Sequence, residues 1–206
     1  MHIPARRILI EQSILGIVLY RIRTRMDLPA LPPHILKQRI VKEYAASYSV
    51  RTLVETGTYL GDMVAATRRK FTRIVSIELD ETLWKTAKEK FANYEHISIL
   101  HGDSSRLLPG IVESIPDPCL FWLDAHYSGG TTARGETETP IMKELQIVLD
   151  RKIAGDVILV DDARLFVGKD DYPTIEQVRN LVAEKRPDMS FESKDDIIRI
   201  CGTQSR

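Results

Sequence analysis

Short continuous apolar runs and stretches with apolar residues every three or four positions alternate along most of this chain. The runs predict buried strands and the spaced stretches predict amphipathic helices. After the Pro29–Pro33 breaker, residues 34–47 set Ile35, Leu36, Ile40, Tyr44 and Ser47 at helical spacing. Val50–Thr56 then predicts a strand, Asp62–Phe71 a helix, Arg73–Glu78 a strand and Glu81–Phe91 a helix. Ile97–Leu100 reads as the third strand, and Ser104–Ser114 as a helix that Pro109 should break or kink. Pro118–Leu123 and Asp156–Val160 are the next strands, with helices over Thr139–Asp150 and Thr174–Lys185. Such alternation argues for an α/β fold, a Rossmann-like parallel sheet with helices on both faces. The end differs: Met189–Glu192 and Ile197–Cys201 are extended runs joined by Ser193–Asp196, a closing antiparallel hairpin.

Residues 1–33 stand apart as an apolar, basic arm before a single domain over 34–206. From Ile8 to Tyr20 the arm is nearly all apolar, with Arg6 and Arg7 before it and Arg21, Arg23 and Arg25 after. A spanning helix needs about 20 apolar residues, so the run is too short to cross a bilayer. No A-x-A-like cleavage site follows it. It predicts a helix that packs on the domain or on a second subunit as a dimer; the competing reading is a peripheral membrane helix with its arginines on lipid headgroups.

Bulk composition narrows the function. Lys+Arg and Asp+Glu both total 29 among 206 residues, so no global basic field favours a nucleic-acid partner. Cys119 and Cys201 lie in apolar runs far apart, with neither a metal-type pair nor a disulfide framework, which suits a reducing cytoplasm.

Chemistry concentrates after the first strand, in Leu53-Val54-Glu55-Thr56-Gly57-Thr58-Tyr59-Leu60-Gly61. A strand, glycine turn and helix in an open parallel sheet put this turn at the strands' carboxyl ends, where ligands bind. Gly57 and Gly61 allow a sharp turn and close approach of the backbone. A dinucleotide fingerprint needs G-x-G-x-x-G, with the pyrophosphate against its second glycine, and here Tyr59 takes that place. The turn therefore suits a nucleoside without phosphate, of which S-adenosylmethionine is the common one.

Together these residues resemble the class I S-adenosylmethionine-dependent methyltransferases, whose seven-stranded sheet ends in such a hairpin. Glu55-Thr56-Gly57-Thr58-Tyr59-Leu60-Gly61 is similar to the E-x-G-x-Y-x-G of catechol and caffeoyl-coenzyme A O-methyltransferases. Asp161-Asp162 is more similar to macrocin-type sugar O-methyltransferases. The resemblance implies a ribose-reading Glu78, with Gly57, Tyr59 and Gly61 along the methionine and ribose and Glu55 near the ammonium. It puts Asp103 and Ser104 at the adenine edge, although either would equally cap the following helix.

The same resemblance implies Mg²⁺ on Asp124, Asp161 and Asp162, acids that close the fourth and fifth strands, with Asp124 also beside the cofactor. Hard oxygen donors of this kind suit Mg²⁺, which would lower the pKa of an acceptor hydroxyl and orient it. His126 follows Asp124 by two residues and has the intrinsic pKa of a general base. Residues 127–140 form a polar, glycine-rich loop like a lid, in which Arg134, Glu136 and Glu138 would meet a polar acceptor such as a sugar. The expected activity is Mg²⁺-assisted O-methylation of a small molecule or glycan. The alternatives are a nicotinamide-dependent oxidoreductase, because an acid after the second strand reads ribose there too, and a non-catalytic adapter docking through its amino-terminal helix.

Overall fold

The computed structural model describes residues 13–124 and 139–202, and the strands lie on the apolar runs. In chain order the elements are α1 (Ile14–Arg25), α2 (His34–Ser47), β1 (Thr52–Thr56), α3 (Asp62–Thr67), β2 (Arg73–Glu78), α4 (Glu81–Lys90) and β3 (Ile97–His101). They continue with α5 (Ser104–Glu113), β4 (Cys119–Leu123), α6 (Ile141–Asp150), β5 (Val157–Val160), a 3₁₀ turn (Ala163–Leu165), α7 (Ile175–Lys185), β6 (Met189–Lys194) and β7 (Ile197–Gly202).

All seven strands form one sheet in the order β3-β2-β1-β4-β5-β7-β6. The first five are parallel, and β7 runs antiparallel to both β5 and β6. This is the seven-stranded arrangement expected from the resemblance. Strand order reverses at β1, which pairs with β2 on one side and β4 on the other, so a crevice opens at the carboxyl ends there.

Central strands β1, β4 and β5 are buried throughout, and that is why they read as unbroken apolar runs. Alternate residues feed opposite faces. Val54, Phe121, Leu123 and Ile158 pack with α5, α6 and α7 through Leu108, Leu145, Val148 and Val178. Leu53, Leu120, Trp122 and Leu159 pack with α2, α3 and α4 through Ile40, Val41, Val64 and Phe91. Tyr20 of α1 joins this second core. No helix among the described residues is long and apolar enough to cross a membrane.

Three local expectations need correction. The predicted helix over 62–71 stops at Thr67, whose hydroxyl donates back to the Met63 carbonyl (2.7 Å) where the chain turns. Pro109 does not interrupt α5, which runs on to Glu113 with the proline ring on its exposed side. The final turn is tighter than Ser193–Asp196, because pairing continues to Lys194↔Ile197 and only Asp195 and Asp196 remain unpaired. Both have positive φ (53° and 60°), as a two-residue type I′ hairpin requires.

That turn is also a fastening point. The Asp195 carboxylate accepts from Tyr20 Oη (3.2 Å) and Arg21 Nη1 (2.8 Å) of α1, and from Arg199 Nη2 (3.0 Å). Asp196 accepts from the Arg164 backbone N–H (2.8 Å) and its guanidinium, and its own carbonyl accepts from Ala163 N–H (2.9 Å). Asp195→Ala should take from the buried Arg199 the shorter of its two carboxylate contacts, leaving Glu192 at 3.5 Å, and lower the unfolding free energy by about 3 kcal/mol in urea titration. Tryptic cleavage after Arg21, Arg23 and Arg25 should accelerate in the same variant, because α1 loses its tether.

Candidate active site

The first turn forms because two glycines and one strained tyrosine accept left-handed backbone. Gly57 (φ 81°), Tyr59 (φ 49°) and Gly61 (φ 72°) all lie in that region. A Cβ on Gly61 would stand 2.7 Å from Phe91 Cε2, so glycine is required there on both counts. The Gly57 and Thr58 N–H groups donate to the Ile77 carbonyl (2.9 and 3.1 Å), which fastens the turn to β2. Tyr59 itself remains 56% exposed, so the turn is open to a ligand.

Glu78, the last residue of β2, braces this turn. One carboxylate oxygen accepts the Tyr59 N–H (2.7 Å) and the other the Asp80 N–H (2.9 Å). Each oxygen retains acceptor capacity for one further donor, which is what two vicinal ribose hydroxyls supply. Glu55 lies lower. It is fully buried, accepts from Ser76 Oγ (2.5 Å), and Ser76 in turn shares a hydrogen bond with Thr58 Oγ1 (2.6 Å). Burial, with Asp124 and Glu78 nearby, pushes its carboxyl up to about 8 against the help of Ser76.

At the expected adenine edge, Asp103 is the N-cap of α5 and accepts from Ser105 N–H and Oγ (both 2.8 Å). Ser104 is buried and donates to Glu144 Oε1 of α6. Glu144 also accepts from Thr56 Oγ1 (3.2 Å) at the end of β1. It escaped the sequence reading, although an acid on the core-facing row Ile141, Leu145, Val148 was the available signal. Burial raises its carboxyl to about 7, opposed by the Ser104 and Thr56 hydroxyls.

Asp124, Asp161 and Asp162 come together on one small cavity, with Thr139, Phe166 and Tyr172 in its wall. The register explains the meeting: Leu123 pairs with Val160, so the acids following β4 and β5 emerge side by side. Asp162 occupies left-handed backbone (φ 55°), which Asp tolerates better than most residues. What the sequence did not disclose is the cation between them. Lys37 Nζ of α2 lies 2.7 Å from the Asp161 carboxylate and 3.1 Å from Asp162, and Arg164 Nη1 is 2.6 Å from Asp162. Burial disfavours the Lys37 ammonium, but Asp161 and Asp162 outweigh it and hold its pKa above the ordinary value. The Mg²⁺ implied by resemblance therefore meets carboxylates that already have organic partners. Among the described residues no three His, Cys, Asp or Glu side chains converge to hold a metal.

One turn before Lys37, His34 lies near Asp62 and Asp124. Burial, then Lys37, lowers its pKa and keeps it neutral, against the pull of Asp62 and Asp124. Gln38 Nε2 donates to its Nδ1 (2.9 Å), so the ring proton is on Nε2. His126, the expected base, and the loop 127–138 lie outside the described residues.

No protein-family model matches this sequence, and no curated protein does. Solved structures do match in three dimensions. The O-methyltransferase TomG from Streptomyces achromogenes, involved in tomaymycin synthesis and solved with SAM, is 19% identical at a TM-score of 0.61, over 90% of this chain and 87% of that one. An O-methyltransferase from Bacillus cereus solved with SAH is 16% identical at 0.62, over 89% and 88%. The SAH-bound Podospora anserina methyltransferase PaMTH1 is 16% identical at 0.59, over 92% and 88%. At such identities the likeness is one of fold, and the fold is that of the class I S-adenosylmethionine-dependent methyltransferases.

The raised buried acids predict a pH effect. Folded Glu144 holds its proton up to about pH 7, whereas the unfolded residue releases it near its ordinary 4.5. Its contribution to stability is complete below 4.5 and is lost as pH rises through 7. Glu144→Gln should therefore remove roughly 2–3 kcal/mol of the stability loss between pH 5 and 8, read as a flatter Tm-against-pH curve.

Proposed function

We propose that this chain is an S-adenosylmethionine-dependent methyltransferase that transfers the methyl group to a hydroxyl oxygen of a small molecule or glycan. One observation carries the reading: Glu78 ends β2 with both carboxylate oxygens braced by backbone N–H groups, directly beside an open turn whose middle residue is Tyr59. A ribose fits that carboxylate, and Tyr59 occupies the place where a pyrophosphate would need glycine. The fold shared with structures solved around SAM and SAH supports the same choice.

In the reaction the acceptor oxygen attacks the sulfonium methyl carbon in line. A C–O bond forms as the C–S bond breaks, the sulfur leaves as a neutral thioether, and the hydroxyl proton passes to a base. The chain supplies position and charge. Glu78 fixes the ribose, and the strand-end acids form the wall on which a polar acceptor is oriented. His126 is the base in this reading. Mg²⁺ has no part in this reading, because Asp161 and Asp162 are already ion-paired with Lys37 and Arg164.

A nicotinamide enzyme is disfavoured by Tyr59 in the turn and by β7, which runs antiparallel between β5 and β6 where a plain dinucleotide fold continues in parallel. Titration calorimetry decides between them: S-adenosylhomocysteine should bind and NADH should not. Glu78→Ala should weaken S-adenosylhomocysteine at least tenfold, as expected for losing charge-assisted hydrogen bonds. Saturable NADH binding with no response to S-adenosylhomocysteine would refute the assignment. For the metal, a Mn²⁺ titration followed by electron paramagnetic resonance should show no stoichiometric site in the unaltered protein. Lys37→Met should create one by exposing the acids, whereas tight Mn²⁺ binding without that change would return the metal to the mechanism.

A further inference from the structure

Helix α1 has two apolar faces and only one of them is used. Gly16 and Tyr20 are buried and Ile17 packs beside them on the α2–α4 core, while Tyr20 and Arg21 are fastened to Asp195. The opposite face carries Ile14, Leu15, Val18, Leu19, Ile22 and Met26, exposed by 42–76%. Their spacing of three and four makes one continuous outward stripe. Such a stripe on a soluble surface marks an interaction site.

Charge selects the occupant. Residues 1–25 contain five arginines and one glutamate, a net +4 in a chain whose total is zero, so the rest of the molecule carries −4. On the helix, Arg21 and Arg25 border the stripe on one side and Arg23 on the other. A second copy seated by two-fold symmetry would lay this basic segment against itself, and like charges across an interface oppose association. An anionic lipid surface accepts both features, the apolar stripe among acyl chains and the arginines among headgroups. The twelve described residues of α1 are too few to cross a bilayer, which suits a helix lying in the interface plane.

We propose that α1 is a docking helix for anionic lipid surfaces, inserting the Leu15–Val18–Leu19–Ile22–Met26 stripe with its arginines at headgroup level. The tether through Asp195 gives the arrangement a consequence. The Asp195–Asp196 turn is bonded to Ala163 and Arg164, immediately beyond the acids that close β5, so the docked helix holds the crevice edge at the membrane surface. This consequence rests on the proposed methyltransferase site; lipid binding itself does not.

The test is vesicle flotation of the full chain with phosphatidylcholine alone and with phosphatidylcholine:phosphatidylglycerol at a 7:3 ratio. S-adenosylhomocysteine calorimetry on each protein serves as an independent measure of folding and of the cofactor site. The unaltered chain should float with the anionic vesicles and not with the neutral ones, and high salt should release it. Leu19→Glu with Ile22→Glu, both on the exposed face, should cut partitioning at least tenfold with calorimetry unchanged. Arg25→Ser should cut it roughly fivefold. Equal flotation with neutral lipid, or none with either while the chain sediments as a dimer that Ile22→Glu dissociates, would overturn the proposal. So would a monomer that ignores both vesicle types.

Discussion

Acid side chains crowded at the carboxyl ends of a buried sheet must each find a proton, a cation or an N–H group, and this end of the molecule is arranged around that need. Glu78 has backbone N–H groups, and Glu55 and Glu144 have hydroxyl donors and raised proton affinity. Asp161 and Asp162 have Lys37 and Arg164, and the hairpin aspartates have Arg21, Arg199 and Arg164. Buried charge without such partners would cost more than the fold can sustain. Of this polar set, Asp161 and Asp162 also line the cavity at the ends of β4 and β5.

Two of the chain's left-handed non-glycine residues lie at this edge. Tyr59 and Asp162 both hold left-handed backbone, one in the first turn and the other after β5. Each conformation is costly for a side chain with a Cβ and persists because its surroundings dictate it. For Tyr59 the Glu78 carboxylate on its N–H supplies that restraint, and for Asp162 the ion pairs to Lys37 and Arg164 do. The crevice is therefore shaped before any ligand arrives, as a site built for positioning requires.

A link from the crevice to the molecular surface runs through the hairpin. β7 enters the sheet beside β5, so its connection to β6 turns over the acids, and Asp196 reaches Arg164 while Asp195 reaches α1. The first described helix is thereby tied to the last turn of the sheet. That contact separates the side of α1 that is core from the side that is left outward.

Much of this was legible along the chain because it is local. Strand runs, helical spacing, the tyrosine in the glycine turn and the acids closing Arg73–Glu78, Cys119–Leu123 and Val157–Val160 need only a dozen neighbouring residues to be recognised. Pairing register then brings Asp124 beside Asp161 as a consequence of parallel strands. Other features depended on distance. Lys37 meets Asp161 across 124 positions, Glu144 meets Thr56 across 88, and Tyr20 meets Asp195 across 175. No local pattern announces which buried acid a remote lysine will pair with, or which apolar side of α1 will be covered. Those outcomes follow from how helices pack on the two faces of the sheet, so only the tertiary structure decides them.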